Sequence, residues 1–594
     1  MISRFVRLIP TRLLYLYESF LLRNYKRTKK FLTSTNPRIL EEISRKKALQ
    51  VFKIAARNVP AYKKFLEEHN INPDEIRTIE DFKKVPITTK ENYIRKYTYE
   101  ERCIQGRFPP YGNIDESSGS SGTPVNWIHS KEEVERLAKA AQFEYQYTYN
   151  PTNKRYIIIG AWSMGAWTTG VKFAEIIENF SIVKSIGPDV DKIVNTIKTF
   201  GKEYNYLIGA YPPFIKKLVD EGSKKIRWKD YKIDFVTGGE PFIEEWRDYI
   251  RRKIGNPDSI IISSYGASDI DIGIAFETPF SIFIRKLAKK NKVLRKEIFG
   301  SLDVDPVIFQ YDITEHYIEN IKKKGKPTFH ITLLNPVVAS PKVKYCLEDE
   351  GKTISFDKML QILRKFVPGY MEELQRQGLK KEDILRLPFL FVSGRIDETV
   401  SIDGANVYPT HIYLSLSRDE ELHDITNSFK ISTKFDEKQN FKFYLLFELK
   451  KGIKPSKKLR EKYHRTILRQ LIEINDGFKE SYLKDKKAAD PHVLLYPYHT
   501  GPFKEYNLIK RKYIFKPVEV AVILFLSFIL SSAKYMNFLG NYNIVGNAFI
   551  ELPPHPTIGY SLLQLLVNTL IVFSVLMSFF ALIKSMVPKR NGGY

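Results

Sequence analysis

From about residue 40 to residue 390, short runs of branched aliphatic residues alternate with helical patterns. Arg155–Ile159 (RYIII), Ile233–Val236 (IDFV) and Ser259–Ser263 (SIIIS) have the composition of buried strands. Strands separated by helices predict α/β layers around a sheet. Lys451–Gly452 opens a Lys/Arg-rich helical stretch that reaches about Asp476. At the beginning, Ile2, Phe5, Ile9, Leu13, Leu16 and Phe20 recur three or four apart, the spacing of one helix face, with Pro10 interrupting. No internal repeat is visible.

Two apolar runs close the chain. Ser561–Ile583 carries no charge over 23 residues. At about 1.5 Å per residue such a helix reaches roughly 34 Å, enough for a bilayer core of about 30 Å. Val520–Ala533 is shorter, and beside the longer run it reads as the first leg of a hairpin; a pair of core helices is the alternative. Lys510, Arg511, Lys512 and Lys516 precede the hairpin, and Lys584, Lys589 and Arg590 follow it. Between Tyr535 and Tyr560 there is no Lys or Arg. This asymmetry predicts both chain ends and the main body on the cytoplasmic side of a membrane.

Charge sharpens the picture of partners. Lys plus Arg outnumber Asp plus Glu by 94 to 68, a formal balance of +26. That suits anionic ligands such as nucleotides, CoA or acidic lipid, without choosing among them. In the first thirty residues Arg4, Arg7, Arg12, Arg23, Lys26, Arg27, Lys29 and Lys30 face a single acid, Glu18. A helix lying on a membrane surface and a core-packed helix with solvated lysines both fit. Cys103 and Cys346 form no CxxC pair, which excludes a disulfide framework and fits a reducing compartment.

Ser117-Ser118-Gly119-Ser120-Ser121-Gly122-Thr123-Pro124 concentrates hydroxyls and two glycines. The glycines let backbone N–H groups converge, and the hydroxyls add donors, as a polyphosphate requires. No Gly-Lys-Ser/Thr follows, so this is not a P-loop. A flexible linker is the alternative by composition. The order of residues resembles the phosphate loop of the adenylate-forming superfamily, which includes acyl-CoA synthetases, luciferases and peptide-synthetase adenylation domains. Val125 stands where that family usually has Lys.

Further segments follow in the family's order. Thr237-Gly238-Gly239-Glu240 resembles its adenine-contacting turn. Tyr265-Gly266-Ala267-Ser268-Asp269 resembles Tyr-Gly-x-Thr-Glu. That motif implies the Tyr265 ring on adenine, Ser268 on phosphate and Asp269 on Mg²⁺. Tyr345-Cys346-Leu347-Glu348-Asp349 takes the place of Tyr-Arg-Thr-Gly-Asp, which implies Asp349 on the ribose hydroxyls; a solvated acidic loop is the alternative there. The segment from Gly394 to Pro409 resembles the hinge motif, implying Arg395 on ribose, Asp397 as hinge and Gly404 close to a pantetheine arm. Its Gly404-Ala405-Asn406-Val407-Tyr408-Pro409 ending is typical of the phenylacetate–CoA ligase branch. Ala55–Tyr62 and Phe82–Lys90 look like that branch's opening, with capsular-polysaccharide-type relatives the most similar. Gly160–Gly170 falls where the family lines its acyl pocket; tight core packing is the alternative. The family's adenylation lysine maps to Lys510, with Lys504 and Lys512 as rivals and a lipid-facing basic cluster as the alternative.

The resemblance covers roughly residues 40–515. It implies an α/β fold with a large adenylate-forming N-terminal domain, a small mobile α+β C-terminal domain and added C-terminal transmembrane helices. The expected segments are 1–35 (basic, amphipathic), 36–393 (large domain), 394–516 (small domain) and 517–594 (membrane hairpin). The implied cofactors are ATP, Mg²⁺ and CoA, and the partners are a small carboxylic acid and membrane lipid, with no nucleic acid. Two other readings stay open: transfer of the acyl group to a lipid-linked sugar or carrier protein, and a catalytically degenerate membrane-bound scaffold.

Overall fold

The computed structural model describes residues 6, 8–117, 125–164, 168–300, 306–323, 325–395, 400–403, 405–436 and 438–503. The chain divides into two units, Met1–Lys504 and Glu505–Tyr594, and the described residues all belong to the first. Both C-terminal apolar runs and Lys510 therefore lie outside them. Among the described residues no helix is long and apolar enough to cross a membrane.

An eleven-stranded sheet carries the fold. In chain order the strands of the molecule are β1 (Gly112–Ser117), β2 (Val125–Ser130), β3 (Tyr156–Gly160), β4 (Ile182–Ser185), β5 (Asn205–Ala210), β6 (Lys232–Gly238), β7 (Ile261–Ala267), β8 (Asp271–Phe276), β9 (Val307–Gln310), β10 (His316–Lys323), β11 (Lys326–Leu333), β12 (Tyr345–Ile354), β13 (Phe389–Arg395), β14 (Val400–Ile402), β15 (Ala405–Val407), β16 (Thr426–Phe435), β17 (Phe441–Leu449) and β18 (His492–Tyr496). The large sheet runs β10-β11-β12-β13-β9-β8-β7-β6-β5-β3-β4. From β4 to β7 neighbours are parallel, and from β7 to β10 they are antiparallel. The three sequence-predicted strands are β3, β6 and β7. β3 and β5 are buried at every position, as parallel strands covered on both faces must be. Phe235 of β6 is fully buried, so Phe235→Ala would cost about 3–5 kcal/mol.

Helices cover the sheet. α1 (Thr11–Leu22) turns Leu14, Glu18 and Leu21 inward. The Glu18 carboxylate meets Lys47 at 2.7 Å and Arg136 at 3.0 Å. The opposite face, with Leu13, Leu16 and Phe20, stays exposed. The segment is thus core-packed on one side, while Ile9, Leu13, Leu16 and Phe20 of the apolar repeat read from sequence are exposed. α2 (Lys131–Tyr149) begins with a capping box between Ser130 and Glu133 and ends at Asn150 in the left-handed region. α3 (Thr168–Ile177) packs beside it, and α4 (Glu244–Ile254) follows β6.

The expected boundary at residue 394 falls at the end of β13. Beyond it lie the β14–β15 hairpin and a separate sheet of order β16-β17-β18, in which β17 and β18 are parallel. The Lys/Arg-rich stretch forms the helix Lys457–Ile474. Lys484 Nζ donates to Ser163 Oγ at 2.9 Å, and Lys217 pairs with Asp485 at 3.1 Å.

Candidate active site

The site forms at the carboxyl ends of β6 and β7, on the parallel half of the sheet, where open α/β sheets hold ligands. β6 runs into Gly239, whose φ is +79° and where a Cβ would lie 2.5 Å from the Tyr211 ring. The turn therefore requires glycine. Glu240 is buried just after it and accepts from Ser401 Oγ at 3.3 Å. At the end of β7, a Cβ on Gly266 would lie 2.5 Å from the Ile272 backbone, so a bare residue lets β8 fold back tightly.

This turn delivers Tyr265 and Asp269 to the same space. The Tyr265 hydroxyl donates to Asp349 Oδ2. Burial, reinforced by the Asp349 charge, raises the Tyr265 phenol well above its ordinary value. Asp349 of β12 lies in register with Arg395 of β13, whose guanidinium donates to its carboxylate at 3.3 Å. Asp349 is only 8% exposed, so the solvated-loop alternative fails there. Asp269 is equally buried; it accepts from the Tyr345 hydroxyl at 2.8 Å and pairs with Lys90 at 3.2 Å. Ser117, at the end of β1, accepts from Trp127 Nε1 at 2.9 Å.

A buried ionic network supports this wall from behind. Arg247 of α4 contacts Glu277 at 2.8 Å, and Glu277 accepts from the Ser263 backbone N–H of β7 at 2.8 Å. Arg285 donates to the Phe242 carbonyl at 2.6 Å, fixing the turn after Glu240. Removing one member would strand a buried charge and cost about 3–5 kcal/mol.

One cavity of about 930 Å³ gathers the described candidates. Ser117, Gly238, Gly239, Glu240, Tyr265, Gly266, Ser268, Asp269, Asp349 and Arg395 all line it, as does Trp162 from the expected acyl-pocket segment. Ser118, Gly119, Ser120, Ser121, Gly122, Thr123, Asp397, Gly404 and Lys510 lie outside the described residues.

Among the cavity residues that sequence reasoning missed are Lys90 and Glu144. Lys90 belongs to a segment read only for its resemblance. It reaches the site because Thr88 bridges to Tyr345 of β12, with its carbonyl accepting from Cys346 N at 2.9 Å. Glu144 stands at helical spacing from Leu137 and Ala141 on α2, an acid on a cavity-facing side. That spacing was legible in the sequence.

The donor set also tests a metal. Among the described residues no three His, Cys, Asp or Glu side chains converge as ligands. Asp269 supplies one carboxylate, which suffices for Mg²⁺ held mainly by phosphates and water. Lys90 already pairs with that carboxylate, so a metal there would compete with the lysine.

No family model matches the chain. Among curated proteins, the phenylacetate-coenzyme A ligase of Pseudomonas putida is 21% identical over 378 residues, covering 62% of this chain and 74% of that protein. The Escherichia coli (strain K12) enzyme of the same name is 22% identical over 245 residues, covering 40% of this chain and 54% of its own length. Among solved structures, 2-hydroxyisobutyryl-CoA ligase in complex with 2-HIB-AMP and CoA superposes with a TM-score of 0.53 at 14% identity, covering 82% of this chain and 90% of that one. The fold is that of the adenylate-forming superfamily. The curated relatives mark the chain as an AMP-forming ligase.

Proposed function

We propose that the chain activates a small carboxylic acid with ATP and passes the acyl group to CoA. In the first step a carboxylate oxygen attacks the α-phosphorus. The bond to the bridging oxygen breaks, pyrophosphate leaves and acyl-AMP remains. In the second, the CoA thiol attacks the acyl carbon, AMP leaves with the acyl–oxygen bond electrons, and the thiol proton is released. The observation that carries this reading is the meeting of Tyr265, Asp269, Asp349 and Arg395 around the cavity that Gly238 and Gly239 floor.

In this reading Asp349 and Arg395 hold the ribose hydroxyls, Tyr265 and the Gly238–Glu240 turn face adenine, and Ser117–Thr123 with Ser268 take the phosphates. Asp269 would hold Mg²⁺, which supplies charge neutralisation at the phosphates. Preorganised donors and charges of this kind lower the barrier where negative charge builds. Lys510 would serve the first step. The segment from Asp397 would serve as the hinge on which residues 394–516 turn between steps, with Gly404 beside the pantetheine. ATP–pyrophosphate exchange across a panel of carboxylic acids tests the first step. Product analysis with and without CoA tests the second, and an acyl product that forms without CoA would assign a different acceptor.

The membrane association read from sequence belongs to the same proposal. Its supports are the charge-free run Ser561–Ile583 and the exposed Leu13, Leu16 and Phe20 of α1, flanked by Arg12, Arg23 and Arg27. Cysteines placed at Asn541–Asn547 should be labelled from outside intact cells; labelling only after permeabilisation would rule out the hairpin.

A further inference from the structure

The cavity is larger than the nucleotide-facing residues require, and its remaining wall is mostly apolar. α2 contributes Leu137, Ala141 and Tyr145, and α3 contributes Phe173, Ile176 and Ile177. Such a compartment suits a hydrocarbon moiety. Into it α2 also sets one carboxyl group, that of Glu144. α2 lies close to the sheet at this end: a Cβ on Gly273 of β8 would touch the Leu137 side chain at 3.2 Å. No described residue forms a hydrogen bond or ion pair with Glu144, whereas the neighbouring acids on the same side of the sheet are satisfied. Asp312 accepts from Thr314 N and Oγ1, both at 2.8 Å, and Glu315 is held by Arg136.

We propose that Glu144 is a specificity residue, and that the acid activated here carries a hydrogen-bond donor, hydroxyl or amine, at the end remote from its carboxylate. The inference rests on the carboxylate-ligase reading and adds the chemical class of the substrate. A carboxyl in an apolar wall is costly unless something pairs with it, and this one lines the cavity itself. Burial, with the Asp312 charge adding to it, pushes the Glu144 carboxyl up to about 8. Near neutrality it is therefore largely a neutral acid that accepts from a hydroxyl, and an approaching ammonium would ionise it and pair with it. An all-hydrocarbon acid would leave it unpaired, and that is the kind of mismatch by which sites reject analogues lacking a polar group.

The test is ATP–pyrophosphate exchange by the full-length protein with two matched series. One is hexanoate, 6-hydroxyhexanoate and 6-aminohexanoate; the other is phenylacetate and 4-hydroxyphenylacetate. The parent should use a donor-bearing member over its hydrocarbon partner by roughly 10²-fold or more in kcat/KM. Glu144→Leu should reverse that order, while its melting temperature holds or rises because an unpaired, half-buried carboxyl is gone from an apolar wall. Glu144→Gln should keep the hydroxyl preference and lose any amine preference. A substrate ratio that is the same in the parent and in both variants overturns the Glu144 assignment and leaves the ligase reading intact. Absence of exchange by the parent with every acid overturns both.

Discussion

Asp349 and Arg395 stand opposite each other in register on adjacent strands, and the arginine donates to the carboxylate at 3.3 Å. They are 46 residues apart in the chain. Because Tyr265 donates to the other carboxylate oxygen, three elements converge on one acid. The side chain is thus oriented before any ligand arrives, and preorganisation reduces the ordering cost of binding.

Asp349→Ala and Arg395→Ala should each weaken ATP binding by about 1–3 kcal/mol. Since the two residues touch, the double variant should lose less than the sum of the single losses. Titration calorimetry with a non-hydrolysable ATP analogue checks both statements. Unchanged affinity in both single variants would remove these residues from the nucleotide site.

Lys90→Ala should destabilise the protein by about 1–3 kcal/mol, because it leaves the buried Asp269 carboxylate without its cation. Mg²⁺ with ATP should restore more stability to this variant than to the parent, since metal and lysine compete for one carboxylate. Melting curves with and without Mg²⁺ and ATP measure the difference. Equal shifts would argue against a metal at Asp269.

The raised Glu144 carboxyl gives a pH signature. Its pKa moves from 4.5 to about 8 on folding, so the folded state holds the proton more tightly than the unfolded chain. Between those values the unfolded chain has already lost the proton, and stability falls as pH rises. Glu144→Gln lacks this loss. Its stability relative to the parent should grow from about pH 4.5 to about pH 8 and then level off, as read by denaturant melts across that range. Asp312 contributes the same sign in both proteins and cancels from the comparison.

Lys510→Ala should abolish acyl-AMP formation while leaving ATP binding largely intact. Asp397→Pro should still form acyl-AMP but fail to transfer it, because a fixed φ blocks rotation about the hinge. Single-turnover assays that score acyl-AMP and final product separately distinguish the two. If Lys510→Ala adenylates at the parent rate, Lys504 and Lys512 come next. If Asp397→Pro completes both steps, that residue is not the hinge.

The sequence by itself determined the α/β class and the strands β3, β6 and β7, because short runs rich in β-branched and aromatic residues between helical patterns suit a pleated, buried or half-buried surface. It also located the two turns that line the cavity, Gly238–Glu240 and Tyr265–Asp269, because tight turns demand glycine at positions such as Gly239 and Gly266, where a Cβ collides. Tertiary structure alone decided which side chains meet. The Asp349–Arg395 register, the bridge of Thr88 to β12 that brings Lys90 to Asp269, and the inward face of α1 with Glu18 between Lys47 and Arg136 all join residues far apart in the chain. Local periodicity reports which face of an element is apolar. It does not report what covers that face, so the repeat Leu13, Leu16, Phe20 was legible while its exposure was not, and Glu144 could be seen as an acid on α2 but not as an unpaired group in the apolar part of a cavity wall.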